Sequence, residues 1–243
     1  MINIFRKEIN SFLSSLIGYV VIGVFLILTG LFVWVFPETN VMDYGYANID
    51  PLFITAPWVL MFLAPAITMK LFSEEKKTGT LEILTTKPIT DLQIILGKYL
   101  AALCLIVFAI FPTLIYFYSV YNLGFEPGNI DTGAAWGSYI GLIFLGAAFA
   151  SIGILASTLS ENQIVAFILA VFLCFVLYSG FDSLGSISSF SKLGWFIQVI
   201  GINSHYTSIS RGVVDSKDVI YFLSFISLFL LLTNSVLSRR RWG

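Results

Sequence analysis

Long apolar stretches and short polar connections alternate along the chain. Six stretches contain no Asp, Glu, Lys, Arg or His, and each is at least 19 residues long: 12–36, 51–69, 99–125, 132–160, 162–181 and 219–238. A helix needs about 20 apolar residues to cross the hydrocarbon core of a bilayer. The pattern therefore predicts six transmembrane helices, at about 17–36, 52–72, 96–121, 135–158, 163–181 and 219–237.

Composition agrees with a membrane protein. Of the 243 residues, 58% are hydrophobic and 11% are charged, whereas about 25% are charged in an ordinary soluble domain. The six predicted spans and their connections use up the whole chain. We therefore predict an all-α, polytopic integral membrane protein with a single membrane domain over residues 1–243 and no separate soluble domain.

The segment before the first span has the pattern of an amphipathic helix. Apolar residues recur there at helical spacing, with Arg6, Lys7 and Asn10 elsewhere around the helix; they are Phe5, Ile9, Phe12, Leu13 and Leu16. Such a helix can lie in the membrane interface. We predict an N-terminal interfacial helix over residues 1–16.

A second unusual segment, residues 182–216, precedes the last span. It is rich in Ser and Gly, and its apolar residues between 193 and 210 are too few for a seventh span. We predict a re-entrant or interfacial hairpin on the outer side. The only histidine, His205, lies here without another His or Cys nearby, so we expect a hydrogen-bonded histidine instead of a metal ligand.

Basic residues orient the predicted spans. With a cytoplasmic N-terminus, ten Lys and Arg residues fall inside, and only Lys192, Arg211 and Lys217 fall outside. The positive-inside rule associates basic residues with cytoplasmic loops. We therefore predict that both termini and residues 73–98 are cytoplasmic, and that 37–50, 122–134 and 182–216 are outside.

The longest polar connection, residues 73–98, joins the second and third spans. It holds eight of the chain's 27 charged residues (13 basic and 14 acidic). Gly79 suits the left-handed conformation that ends a helix, and Thr80 can cap a short helix over 81–86 that Pro88 ends. Thr90 and Gln93 fit a capping box that starts the next helix. This compact pattern predicts a docking site for a cytosolic protein, and an ordinary structured loop would give the same pattern.

Two groups of residues resemble the type-2 ABC exporter permeases. The first is Lys77-Thr78-Gly79-Thr80-Leu81-Glu82, followed after five residues by Pro88-Ile89. The second precedes the last span and comprises Ser204-His205-Tyr206, Arg211-Gly212-Val213-Val214-Asp215 and Asp218-Val219-Ile220-Tyr221-Phe222. The resemblance covers nearly the whole chain, and within the family it is strongest to the gliding-motility-associated ABC transporter permease subunits.

The resemblance implies specific roles in the polar connection. Glu74 to Lys77 would belong to a gate helix, and Gly79 to Thr86 to a coupling helix that contacts a cytosolic ABC ATPase subunit. The residues expected to couple to the ATPase are Glu74, Glu75, Lys77, Gly79, Thr80, Leu81, Glu82, Ile83 and Leu84. The family further implies a homodimer or a heterodimer with a second permease subunit, in the bacterial inner (plasma) membrane.

Missing motifs narrow the chemistry. The chain contains no Gly-x-x-x-x-Gly-Lys-Ser/Thr phosphate-binding loop and no His-Glu-x-x-His zinc motif. Ion-driven transporters usually carry ionisable residues in the cores of their spans. The predicted spans of this chain carry none there. We therefore expect no enzymatic activity, cofactor, metal or nucleic-acid partner in this chain, and energy supplied by a separate ATPase.

Three functions remain open from the sequence. The first is the membrane subunit of an ATP-driven exporter. The second is a non-transporting scaffold or anchor for a motility or secretion assembly, and the third is a membrane-embedded enzyme that acts on lipids. The absence of catalytic motifs makes the third the weakest of these hypotheses.

Small and special residues within the spans have structural explanations. Gly137 and Gly141, four positions apart, predict close helix packing, in this chain or against a second copy. Pro57, Pro65 and Pro112 are expected to kink their helices, with a moving hinge as the alternative. Cys104 and Cys174 are expected to be buried thiols.

Overall fold

The computed structural model describes residues 1–85, 89–185 and 198–239, excluding the side chains of residues 44 and 83–85. No strand occurs in these ranges. Six helical segments are long and apolar enough to cross a membrane: Leu16–Trp34, Asp50–Lys77, Asp91–Leu123, Thr132–Leu159, Gln163–Gly185 and Ser216–Arg239. They are called spans 1 to 6 below. The predicted all-α, six-span fold is thus confirmed, and span 2 continues about two turns beyond the apolar stretch 51–69.

Span 4 forms the centre of the bundle. The buried share of the most apolar window is 78% for span 4 and 72% for span 2, but only 22% for each of spans 1, 5 and 6. Span 4 packs against spans 2, 3, 5 and 6. Spans 1, 5 and 6 therefore keep broad apolar faces turned away from the protein, as helices in contact with lipid do.

Small residues on span 4 allow its neighbours to approach closely. A Cβ added to Gly137 would lie 2.7 Å from the Cα of Gly212 and 2.8 Å from the carbonyl oxygen of Ile209. A Cβ on Gly153 would overlap the hydroxyl of Thr68 in span 2. The predicted close packing is thus confirmed, and the partners of these glycines lie within this chain.

Prolines mark irregular turns in spans 2 and 3. Span 2 consists of helices Asp50–Thr68 and Lys70–Lys77, joined at Met69, four residues after Pro65. Span 3 consists of Asp91–Ile110, a 3₁₀ turn Phe111–Thr113 that contains Pro112, and Leu114–Leu123. The hydroxyl of Tyr139 in span 4 donates to the carbonyl of Thr113 at 2.9 Å. The turn at Pro112 is thus held by a neighbouring span, which favours a fixed kink over a hinge.

Span 5 also contains an irregular turn. Its α-helix Gln163–Phe175 continues as a π-helical turn, Val176–Gly180, and then as the short helix Phe181–Gly185. Its Cys174 is buried as expected, whereas Cys104 in span 3 is exposed on the outside of the bundle. The expectation of a buried thiol was wrong for Cys104, because mid-span position does not reveal which face of a helix meets the protein.

The N-terminal helix, Ile2–Leu13, packs against span 3. Its buried face is formed by Ile4, Glu8 and Phe12, one residue per turn. Of the predicted apolar face, Phe5, Ile9 and Leu13 are only half-buried, and Leu16 is exposed in span 1. The amphipathic helix is confirmed, but the buried face includes a glutamate.

Beyond span 5, the described part of residues 182–216 lies against the bundle. A helix over Ile202–Ile209, called the outer helix after its predicted side, packs on span 4, and the Tyr206 hydroxyl donates to the carbonyl of Phe53 at 2.7 Å. Residues 186–197 of the predicted hairpin lie outside the described residues, so its re-entrant path stays a prediction. Between spans 1 and 2, a 3₁₀ turn covers Val41–Tyr44.

His205 of the outer helix is hydrogen-bonded at both ring nitrogens, as expected. Its Nδ1 lies 2.6 Å from Asp218 Oδ1 in span 6, and its Nε2 lies 2.9 Å from the carbonyl oxygen of Val199. The ring also stacks on Tyr221, with centroids 3.8 Å apart. These contacts fasten the outer helix to the beginning of span 6.

Candidate functional site

The polar connection between spans 2 and 3 folds as its sequence pattern predicts. The helix Lys70–Lys77 ends in a turn in which the Thr78 N–H donates to the carbonyl of Glu74 at 3.0 Å and the Gly79 N–H donates to that of Lys76 at 3.2 Å. Gly79 follows with φ of +69°, in the left-handed region that glycine favours. A short helix, Thr80–Thr85, then runs away from the turn. We call residues 70–85 the coupling segment.

The helix after the coupling segment begins at the predicted capping box. The Thr90 hydroxyl accepts from the Gln93 N–H at 3.3 Å, and the Gln93 side chain accepts from the Thr90 N–H at 3.4 Å. The short helix starts at Thr80 itself, one residue before the predicted start. Its predicted end at residues 86–88 lies outside the described residues.

The coupling segment divides its predicted contact residues between two sides. Glu74, Lys77, Gly79, Thr80 and Glu82 are exposed. By contrast, Glu75 and Leu81 are 7% and 5% exposed, and both face the chain itself. A partner could reach the first group directly, whereas Glu75 and Leu81 can act only by holding the segment in place.

Two further predicted contacts, Ile83 and Leu84, lie on the short helix. Their side chains are outside the description, so their role in coupling stays a prediction. Leu81, which the resemblance also places among the coupling residues, is part of the chain's own core.

A buried ionic cluster lies directly beneath the coupling segment. The side chain of Lys98 in span 3 is fully buried, and its Nζ lies 2.8 Å from Glu8 Oε1 and 3.0 Å from Glu75 Oε2. The same Nζ donates to the carbonyl of Leu71 at 2.6 Å. Lys7 completes the cluster, with its Nζ 2.7 Å from Glu75 Oε1.

The four charges of this ionic cluster, Lys7, Glu8, Glu75 and Lys98, sum to zero. Burial lowers the pKa of Lys7, but hydrogen bonding and charge from Glu75, with a smaller contribution from Glu8, raise it above its ordinary value overall. Burying charges costs several kcal/mol per ion unless they are paired with good geometry. Because the members come from the N-terminal helix, span 2 and span 3, each of these elements depends on the other two.

A hydroxyl at the end of span 4 makes a second attachment. Ser157 Oγ accepts from the N–H groups of Phe72 and Ser73, at 3.0 and 3.1 Å, and donates to the carbonyl of Met69 at 2.9 Å. Lys76 Nζ donates to the carbonyl of Thr158 on the same span. Span 4 therefore supplies hydrogen-bond partners to the backbone around the turn at Met69.

Sequence reasoning missed most of these attachments. Glu75 was predicted to contact the ATPase, and Lys98 was counted only as a charge of the polar connection. Glu8 and Ser157 were not singled out. One signal was available for Glu8: it repeats with Ile4 and Phe12 at intervals of four residues and so shares the buried face of the N-terminal helix. No comparable pattern singles out Ser157.

The fold and the site define a class of protein: a multi-pass helical membrane protein whose polar segment is exposed on one side and fastened to three elements on the other. Comparison with protein families identifies it further. Residues 37–242 match the model of the ABC-2 family transporter proteins, which covers most of the chain. The chain belongs to this family. No curated protein matches the chain.

Family membership fixes the general role. The chain is a membrane permease component of an ABC transporter, and permeases of this family work with an ABC ATPase that carries the nucleotide site in a separate subunit. The match begins at residue 37 and therefore excludes the N-terminal helix and span 1. The ionic cluster thus joins matched residues, Glu75 and Lys98, to unmatched ones, Lys7 and Glu8.

Proposed function

We propose that this chain is the membrane subunit of an ATP-driven exporter and that the coupling segment receives the cytosolic ATPase. The supporting observation is the two-sided construction of this segment. Glu74, Lys77, Thr80 and Glu82 are exposed on the surface, while Glu75 beneath them is paired with Lys98 and Lys7. A push on the exposed side would therefore be transmitted to spans 2 and 3 instead of being absorbed by a flexible loop.

A dimer belongs to the same proposal. The centre of the described bundle is filled by span 4, 78% of whose apolar window is buried by the chain's own residues. A packed centre leaves no room for a substrate to pass. We infer that the pathway forms between two permease subunits, either two copies or this chain and a second permease.

Orientation follows from the charge asymmetry of the sequence. We propose that both termini and the coupling segment face the cytoplasm of a bacterial cell, with the protein in the inner membrane. The attachment of the coupling segment to the N-terminal helix by the ionic cluster is consistent with this arrangement, because it requires both on one side of the bundle.

The alternative is a membrane scaffold that anchors a motility or secretion assembly without transport. Its support is the overall resemblance of the sequence to gliding-motility-associated permeases. ATP-dependent movement of a substrate in vesicles that contain the chain and its ATPase would favour the exporter, and ATPase binding without transport would favour the scaffold.

Co-purification tests the proposed docking. A tagged chain should retain an ATPase with a phosphate-binding loop, and Glu82→Lys should reduce this retention at equal membrane levels, since a mismatched charge at an interface costs up to several kcal/mol. Glu126→Lys is the matched control, because Glu126 is an exposed glutamate of another loop. Equal retention by both variants would contradict the assignment of the contact to the coupling segment.

A further inference from the structure

The end of the bundle opposite the coupling segment contains a cavity of about 460 Å³. Its walls are the beginning of span 2, span 4, the π-helical turn of span 5 and the outer helix. This volume lies within the range of small-molecule sites, about 300–1,000 Å³. π-helical turns inside α-helices occur frequently at functional sites. Location and size thus make the cavity a candidate binding site.

Several hydrogen-bond donors of the cavity wall make no hydrogen bond within the described part of the chain, and Tyr178 and Arg211 are two of them. Tyr178 is 5% exposed, and its hydroxyl makes no hydrogen bond there. The guanidinium of Arg211, at the exposed edge, likewise has neither an ion pair nor a hydrogen bond. Neighbouring wall groups are satisfied: Tyr206 donates to the carbonyl of Phe53 and Ser138 to that of Ser210.

The wall also carries a negative charge at a separate position. Asp50, exposed at the start of span 2, accepts from the Asn48 amide at 2.8 Å but pairs with no described cation. Arg211 and Asp50 therefore offer opposite charges that do not neutralise each other. Beside them, Trp58 lines the same cavity and is 44% exposed, so it extends an aromatic surface outward.

We propose that this cavity binds a zwitterionic amphiphile. A phosphate-type anionic group would accept hydrogen bonds from Arg211 and Tyr178, an amine would face Asp50, and an apolar chain would lie against Trp58. Arg suits phosphate oxygens because its guanidinium donates two parallel hydrogen bonds. Trp and Tyr are typical of the membrane interface, where such amphiphiles are available. The site is independent of the coupling segment and of ATPase docking.

Lipid binding to the purified full-length chain tests the proposal. Native mass spectrometry would compare phosphatidylethanolamine with phosphatidylglycerol of identical acyl chains. The wild-type chain should prefer phosphatidylethanolamine, whose head group carries both charges. Arg211→Gln should weaken binding of both lipids about tenfold or more, by the usual strength of a charged hydrogen bond. Tyr178→Phe should weaken both by a smaller factor, and Asp50→Asn should remove the preference.

A matched control separates this site from general surface charge. Lys217 lies at the same end of the bundle but outside the cavity, paired with Asp215 at 3.1 Å. Lys217→Gln should bind both lipids as the wild type does. Equal effects of Arg211→Gln and Lys217→Gln would overturn the proposal, as would an equal affinity of the wild type for both lipids. Displacement by soluble glycerophosphoethanolamine as effective as by the lipid would show that the apolar part is not recognised.

Discussion

Replacement of Lys98 by methionine is the sharpest test of the ionic cluster. Methionine keeps an unbranched side chain of similar length but removes the ammonium group. Lys98 is fully buried and lies within 3.0 Å of Glu8 and Glu75. The substitution therefore leaves two buried carboxylates facing one remaining cation, Lys7, whose side chain is 57% exposed.

The expected cost follows from the loss of one partner. Removing one member of a buried ion pair typically destabilises a protein by about 3–5 kcal/mol, because the remaining charge stays buried without compensation. Lys98→Met also removes the donor to the carbonyl of Leu71. For a chain of this size each kcal/mol lowers the melting temperature by about 2–4 °C, so the variant should melt roughly 6–20 °C below the wild type.

The assay is thermal unfolding in one detergent at one scan rate, since unfolding of such proteins is often irreversible. Lys77→Met, which removes an exposed lysine of the coupling segment, is the control and should melt within about 2 °C of the wild type, as surface substitutions do. The double variant Lys98→Met with Glu8→Gln should recover most of the loss, because Lys7 and Glu75 remain paired at 2.7 Å. A Lys98→Met variant as stable as the control, or a double variant that is less stable than Lys98→Met alone, would refute the role of the cluster.

Three further predictions concern the coupling segment and its surroundings. Gly79→Val should reduce ATP hydrolysis by the assembled transporter while Gly79→Asn keeps it, because Asn tolerates the left-handed conformation that a β-branched residue resists; equal activity would contradict this. Ser157→Ala should lower the melting temperature by the equivalent of about 1–3 kcal/mol, whereas Ser119→Ala, at an exposed hydroxyl, should not. In a chain without its native cysteines, a cysteine at Asn48 should react with an impermeant thiol reagent in intact cells and one at Lys77 should not. The reverse labelling would contradict the proposed orientation.

Much of the fold was predictable because a bilayer restricts the possibilities. Every backbone polar group in the hydrocarbon core must be satisfied, so a long apolar stretch implies a helix. Local rules were equally effective at the polar connection, where Gly79 takes the left-handed conformation and Thr90 with Gln93 forms the capping box. These features depend on residues that are adjacent in sequence.

Contacts between distant residues were not predictable in the same way. Lys98 pairs with Glu8 across 90 positions, and Ser157 accepts hydrogen bonds from residues more than 80 positions away. A single sequence shows that Lys98 lies near the end of a span, where a lysine usually reaches water. Only the packing of the N-terminal helix over span 3 shows that this lysine is buried instead.

The same limitation affected the predicted contact residues of the coupling segment. Glu75 and Leu81 lie beside exposed residues in sequence, yet both face inward. The direction of each side chain is set by tertiary contacts: Glu75 pairs with Lys98 and Lys7, and Leu81 belongs to the hydrophobic core. The segment itself was therefore predictable, and the division between its partner-facing and inward residues was not.

Photocrosslinking in cells tests the central claim most directly. A photoreactive amino acid would replace Glu82 on the exposed side of the coupling segment, with Glu126 in another loop as the control position. If the segment receives the ATPase, irradiation should join the Glu82 variant to a protein that contains an ATP-binding phosphate loop, and the Glu126 variant should give no such product. An ATPase product at Glu126 alone, or none at Glu82 in cells that contain the assembled transporter, would contradict ATPase docking at this segment.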